Sequence, residues 1–147
     1  MKLINFLDPA IKRKKDLTNK NYQLIKNTKL PLPSEVEISE SGVCNRKCTF
    51  CPRSAPDFKE VKEFISPQLH SKLIDQLKDE NYRGVVRYSG FVEPLLDKNI
   101  FNLISETSSK LPNAKVEIVT NGDVLNKDRL KKIFKSGLTT LLISVYD

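Results

Sequence analysis

Hydrophobic and polar positions follow two different periods from residue 34 onward. SEVEIS (34–39) alternates strictly, with Val36 and Ile38 on one face and Glu35 and Glu37 on the other, the pattern of a half-buried β-strand. Three later segments are short, rich in β-branched residues and bounded by turn residues: GVVRYSG (84–90), KVEIVTNG (115–122) and TTLLISVYD (139–147). The pattern predicts four strands.

Between the predicted strands, the apolar residues have helical spacing. Ser66 followed by Pro67 predicts a first helix, since serine caps helices and proline suits their first position. Its predicted apolar stripe is Leu69, Leu73, Ile74 and Leu77. The second helix is marked by Ile100, Phe101, Leu103 and Ile104, before a break at Pro112.

A third helix is predicted after Asn126, which can cap its start, and Gly137 suits the position just beyond its end. Its predicted apolar positions are Leu130, Ile133 and Phe134.

The order βαβαβαβ predicts an α/β fold with a parallel sheet or an arc of a barrel. LLISVY is apolar enough to be buried on both faces, yet neither a covering helix nor a fifth strand follows it in the sequence. We therefore expect the N-terminal part of a longer protein, cut after about four strands.

Charge is concentrated at the N-terminus. Of the net charge of +7, residues 1–33 contribute +6, from eight basic groups against Asp8 and Asp16. We interpret residues 1–33 as a basic extension and residues 34–147 as the α/β part. The basic arm is compatible with an RNA or anionic partner, but its few aromatic side chains favour a solvated amphipathic helix.

Apolar runs are too short to cross a bilayer, and Asp8 and Pro9 interrupt the region where a signal peptide would be apolar. We therefore expect a cytoplasmic protein without membrane contact. In that reducing compartment, clustered cysteines more often bind metal or perform redox chemistry than form disulfides.

All three cysteines of the chain fall in VCNRKCTFCPR (43–53), as Cys44, Cys48 and Cys51. Three thiolates can hold three corners of a 4Fe-4S cube, which normally takes four, and an open metal position is typical of a catalytic site. The other unusual motifs, YSGFVEP, VTNG and SVYD, also follow predicted strands. Because sites in parallel α/β folds form where strands end, these motifs are expected to surround one cavity.

The spacing C-x3-C-x2-C, with an aromatic residue before the last cysteine, resembles the signature of the radical S-adenosylmethionine (radical SAM) superfamily. The resemblance implies a partial (β/α) barrel of that type, with residues 34–147 as its N-terminal part. It also implies that Cys44, Cys48 and Cys51 ligate the cluster and that the SAM methionine chelates the open iron.

Further roles follow from the resemblance alone. Phe50 would lie near the adenine of SAM. SGFVEP resembles the family's GGE-type segment, so Gly90 and Glu93 would meet the methionine ammonium, although Val92 stands where many relatives have glycine. The last implied positions, contacting the ribose or carboxylate of SAM, are Thr120, Asn121 and Ser144.

The implied activity is reductive cleavage of SAM to a 5′-deoxyadenosyl radical that abstracts hydrogen from a substrate, with an electron donor of the flavodoxin or ferredoxin type. CNRKCTFCPR is similar to the subgroup that often carries a SPASM-type extension. That similarity implies an unidentified substrate among peptides, sugars or aminocyclitols.

Three other interpretations remain open at this point. The three cysteines and His70 could form a structural zinc site, although His70 is expected on the surface or face of the first helix. A passive iron-sulfur carrier would need a fourth ligand. An RNA-modifying or RNA-binding protein would use the basic arm, with the cysteines and His70 as a structural zinc site. Arg53 could be a cation near substrate or cluster, or a surface residue.

Overall fold

The computed structural model describes residues 32–146, together with residues 15, 16, 18 and 19. The chain divides into two compact units, Met1–Ser34 and Glu35–Asp147. The predicted basic arm lies almost wholly outside the described residues, so its separate role stays a prediction. In the part of the chain that is described, no helix has the length and apolar character needed to traverse a bilayer.

The second unit alternates strands and helices in the predicted order. Its strands are β1 (Glu35–Ile38), β2 (Val85–Tyr88), β3 (Lys115–Thr120) and β4 (Thr140–Ile143). Its helices are α1 (Pro67–Asp79), α2 (Ile100–Lys110) and α3 (Lys127–Lys135). Two single 3-10 turns, Pro52–Ser54 and Pro94–Leu96, lie in the loops that follow β1 and β2.

The four strands form one open parallel sheet in the order β1-β2-β3-β4. Ile38, Tyr88, Ile118 and Leu141 are paired in register across the sheet. The α/β fold class is thereby confirmed. Since parallel strands in register end at one edge, the loops after all four strands meet there.

The predicted helix ends are confirmed by their caps. The Ser66 hydroxyl accepts a hydrogen bond from the Leu69 amide at 3.2 Å, and the Asn126 side chain accepts one from the Arg129 amide at 2.8 Å. Gly137, just past α3, has a φ of 94°, a left-handed conformation that favours glycine. These local signals therefore placed the helix ends correctly.

The core between helices and sheet differs in part from the predicted stripes. Its fully buried side chains include Ile74, Val86, Tyr88, Ile100, Ile104, Ile118 and Ile133. Leu69 is 58% exposed and His70 takes the buried position on that turn, whereas the predicted positions Ile74 and Leu77 are buried. Leu130 and Phe134 are also exposed, and Ile133 supplies the contact of α3 with the core.

Within the described residues β4 is only partly buried, and its full burial in a longer protein stays a prediction. Thr140 to Leu142 are half-buried and Ile143 is 52% exposed. Within residues 32–146, β4 pairs with β3 on one side only. An edge strand keeps one row of neighbours, so apolar composition alone does not bury it.

Candidate active site

The loop that follows β1 carries the three cysteines at the strand-end edge of the sheet. All three are free thiols and half-buried. The Cys51 amide donates to the Cys48 carbonyl at 2.9 Å, and the Ser54 hydroxyl donates to the same carbonyl at 2.6 Å. These two hydrogen bonds hold the backbone turn that carries the second and third cysteines.

One cavity of about 200 Å³ collects every site residue that the sequence predicted. The predicted site residues that line it are Cys44, Cys48, Phe50, Cys51, Gly90, Glu93, Thr120, Asn121 and Ser144. Thr120 ends β3 and the others come from the loops after the four strands, which share one edge of the sheet. Their location together is a structural fact, and their individual roles stay predictions.

Glu93 lines this cavity and is fully buried. Its carboxylate accepts hydrogen bonds from the Thr120 hydroxyl at 2.6 Å, the Asn121 amide at 2.7 Å and the Leu95 amide at 3.1 Å. The Glu93 amide in turn donates to the Val43 carbonyl at 2.8 Å. Glu93 therefore ties the loop after β2 to the end of β3 and to the start of the cysteine loop.

Gly90 permits the backbone path that leads to Glu93. It has a φ of 126°, and a Cβ added there would collide with the Ser39 hydroxyl oxygen. Glycine is the residue that adopts such a conformation at low cost. The loop after β2 can thus approach the end of β1 closely.

Arg53 is buried and belongs to the framework of the site. Its guanidinium donates to the Gly42 carbonyl at 2.9 Å and to the Phe91 carbonyl at 3.3 Å, and it pairs with Glu60 at 3.3 Å. It therefore links the start of the cysteine loop to the loop after β2. The interpretation of Arg53 as a surface residue is wrong, because its side chain is only 3% exposed.

Sequence reasoning missed several lining residues, among them Phe91 and Tyr146. The Tyr146 ring meets the exposed Phe50 ring edge to face, with centroids 4.7 Å apart. An adjoining depression of about 300 Å³ is lined by both rings, Cys48 and three neighbouring residues. The aromatic residue in SVYD, directly beyond β4, was the available signal.

His70 does not join the cysteines. It is completely buried, and its ring nitrogens lie 2.8 Å from the Glu106 carboxylate and 2.8 Å from the Tyr88 hydroxyl. Both nitrogens are therefore occupied inside the helix-packed core. Of the two positions expected for His70, the surface is wrong and a face of the first helix is correct. In the described residues, the zinc site of three cysteines and His70 is not formed.

The donor set fits an iron-sulfur cluster better than a single metal ion. In the described segments, no three His, Cys, Asp or Glu side chains converge as ligands of one ion. In a 4Fe-4S cube each thiolate binds a different iron, so the ligands stand further apart. Three thiols around one cavity fit such a cluster, and they would leave one of its irons without a cysteine ligand.

Comparison with protein families matches residues 38–146 to the Radical SAM superfamily. The chain belongs to the radical SAM superfamily. Radical SAM proteins use a 4Fe-4S cluster and S-adenosylmethionine, and the relatives that this chain matches are enzymes.

Two curated relatives match most of this chain. The S-adenosyl-L-methionine-dependent 2-deoxy-scyllo-inosamine dehydrogenase of Niallia circulans is 32% identical over 111 residues, covering 76% of this chain and 44% of the relative. The biotin synthase of Thermotoga petrophila is 29% identical over 128 residues, covering 84% of this chain and 42% of the relative. The chain thus spans less than half the length of these radical SAM relatives.

A solved radical SAM structure has the same architecture. The crystal structure of BtrN in complex with AdoMet and 2-DOIA superposes with a TM-score of 0.72 at 32% identity, covering 76% of this chain and 45% of that one. The predicted radical SAM fold is therefore confirmed.

Proposed function

We propose that this chain binds a 4Fe-4S cluster through Cys44, Cys48 and Cys51 and cleaves S-adenosylmethionine reductively at the iron left open. The observation that carries the proposal is the convergence of three free thiols with the loops after β2, β3 and β4 around one cavity. When bound and reduced, this cofactor pair supplies methionine and a 5′-deoxyadenosyl radical that takes a hydrogen atom from substrate.

The residues around the thiols would bind and orient S-adenosylmethionine. The strand-end backbone at Gly90 and the polar groups of Asn121 and Ser144 face the same cavity as the thiols. The rings of Phe50 and Tyr146, which pack edge to face, would form an aromatic surface for the adenine. Glu93 makes three hydrogen bonds within the protein, so we assign it to holding the β2 and β3 loops as much as to meeting the methionine ammonium.

For the substrate we propose a small hydroxylated molecule of the aminocyclitol or sugar class, with peptides as the other class to be tested. The support is the 32% identity with an aminocyclitol dehydrogenase.

For the electron we propose a low-potential flavodoxin or ferredoxin as donor. The three free thiols suit a reducing compartment, and we propose the cytoplasm; fractionation of the native cells would test that location.

Anaerobic reconstitution tests the proposed cleavage. Full-length protein is loaded with iron and sulfide, reduced with dithionite and given S-adenosylmethionine, and the product is analysed for 5′-deoxyadenosine. Wild type should form it and Cys48→Ala should not. A colourless protein that binds stoichiometric zinc instead would refute the proposal.

The substrate and the donor are tested with the same assay. Candidate aminocyclitols, sugars and peptides carrying deuterium at carbon should transfer it to 5′-deoxyadenosine if they are substrates. Reduced flavodoxin should replace dithionite, and failure of both flavodoxin and ferredoxin would refute the proposed class of donor.

A further inference from the structure

Asp123 connects the loop after β3 to the cysteine loop, across 77 residues of sequence. Its carboxylate accepts hydrogen bonds from Arg46 Nε at 2.8 Å and from Asn45 Nδ2 at 2.9 Å. Its other oxygen pairs with Arg46 Nη2. The Arg46 contact is therefore two-pronged, which fixes orientation as well as charge. Asn45 and Arg46 directly follow Cys44 in the chain.

Asn121 adds a second connection to the same loop. Its side-chain oxygen accepts from the Asp123 amide at 3.0 Å, and its Nδ2 donates to Asn45 Oδ1 at 2.8 Å. These two bonds set which end of the amide faces the cysteine loop. The same Nδ2 lies 4.0 Å from Cys44 Sγ. We call Asn45, Arg46, Asn121 and Asp123 the Asp123 clamp.

The clamp is held to the core through Glu93. The Asn121 backbone amide donates to the buried Glu93 carboxylate at 2.7 Å, so the turn that presents Asp123 is held to the core. The ion pair itself is partly exposed, with 32% of the Arg46 and 36% of the Asp123 side chain accessible. Ion pairs of this exposure contribute little to stability.

We propose that Asp123 is a positioning residue for Cys44. It holds the first part of the cysteine loop in the cluster-binding arrangement and orients the Asn121 amide to donate an N–H···S hydrogen bond to Cys44. Groups that hold metal ligands in place commonly change metal affinity by about 10- to 100-fold. Hydrogen bonds to cluster sulfurs also stabilise the more negative, reduced form. The inference rests on the proposed cluster function.

Asp123→Ala tests the positioning role, with Asp75→Ala as the matched control. Asp75 forms a comparable exposed ion pair with Lys110 at 2.7 Å, between α1 and α2. Asp123→Ala should lose its cluster to a chelator about tenfold faster than wild type, and Asp75→Ala should match wild type. Both variants should keep melting temperatures within about 4 °C of wild type.

Two further variants separate the parts of the clamp. Asn121→Ala should shift the reduction potential of the cluster to more negative values, because the N–H donor to Cys44 is lost. Arg46→Lys keeps the charge but not the two-pronged contact, and its cluster release should fall between wild type and Asp123→Ala.

Alkylation of the apoprotein supplies a readout that needs no cluster. Asp123→Ala should speed modification of Cys44 severalfold while leaving Cys51 unchanged, as measured by peptide mass spectrometry. If wild type takes up no cluster but Cys44 alkylation still changes, the proposed function fails and the positioning of the thiol stands. Unchanged alkylation and unchanged cluster release in Asp123→Ala would overturn the inference.

Discussion

Two hydrogen-bonded networks in this protein differ in what surrounds them. The first lies between α1, α2 and β2, where His70, Tyr88 and Thr107 are all completely buried. The second is the Asp123 clamp, whose ion pair is about one third exposed. Removing a partner from a buried network leaves polar groups without water or protein to bind, whereas water replaces the lost contacts at the clamp.

The comparison shows how one sheet carries two kinds of polar cluster. Between the helices and the sheet, hydrogen bonds hold the core together. At the edge where the strands end, hydrogen bonds hold the loops in a particular shape. The carboxylate of Glu106 illustrates the first kind. Although partial burial opposes its charge, hydrogen bonds from Lys110, Ser71 and His70 lower its pKa to about 2. Stability should therefore respond strongly to changes in the core network and weakly to changes at the edge.

The largest effect is expected from His70→Ala. It removes a buried ring and leaves the Tyr88 hydroxyl and Glu106 with fewer partners. The free energy of unfolding should fall by about 3–5 kcal/mol, as measured by urea denaturation. His70→Gln, which keeps polar atoms in the space, should lose less. Equal losses in both variants would show that packing alone matters there.

The next effect depends on pH and concerns Glu40, a buried carboxylate just after β1. Burial raises its pKa from 4.5 to about 7, and the nearby Asp97 and Glu93 carboxylates add to the rise. The folded protein keeps this proton up to about pH 7, whereas the unfolded chain releases it above 4.5. Stability should therefore fall by roughly 3 kcal/mol as pH rises through that range.

Glu40→Gln should remove this part of the pH dependence and be more stable than wild type at pH 8. Denaturant titrations from pH 4 to pH 8 measure it. Glu80→Gln, changed at an exposed position after α1, serves as the control and should follow wild type. If Glu40→Gln showed the same slope as wild type, Glu40 would not be the protonated group.

A smaller effect is expected from Gly90→Ala at the strand-end edge. The φ of 126° and the contact with Ser39 disfavour any side chain there. The free energy of unfolding should fall by about 1–3 kcal/mol. Cluster binding should be affected more strongly than stability. Adding Ser39→Gly should recover the steric part of the stability loss and leave the conformational part. Full recovery would show that the backbone is not strained.

The smallest effect on stability is expected from Cys48→Ala. Cys48 is half-buried in the loop, so the free energy of unfolding of the apoprotein should change by less than about 1 kcal/mol. Cluster uptake should be abolished. Unfolding of the variant would instead indicate a structural metal, whose loss removes folding energy.

The site was predictable from sequence to a large extent because its residues occupy short motifs at strand ends. The three cysteines, Glu93 and Ser144 were assigned from local pattern and family resemblance, and all lie around one cavity. Asp123 was missed, since an aspartate after an Asn-Gly turn is an ordinary loop residue until its distant partner Arg46 is known. Arg53 was ambiguous for the same reason.

The sequence by itself determined the order and ends of the elements, because caps, turns and hydrophobic periods act over a few neighbouring residues. Ser66, Asn126 and Gly137 show this directly. Only the tertiary structure decided that His70 enters the core and that Asp123 meets the cysteine loop. Burial and long-range pairing depend on which segments the sheet brings together, and periodicity within a single segment does not contain that information.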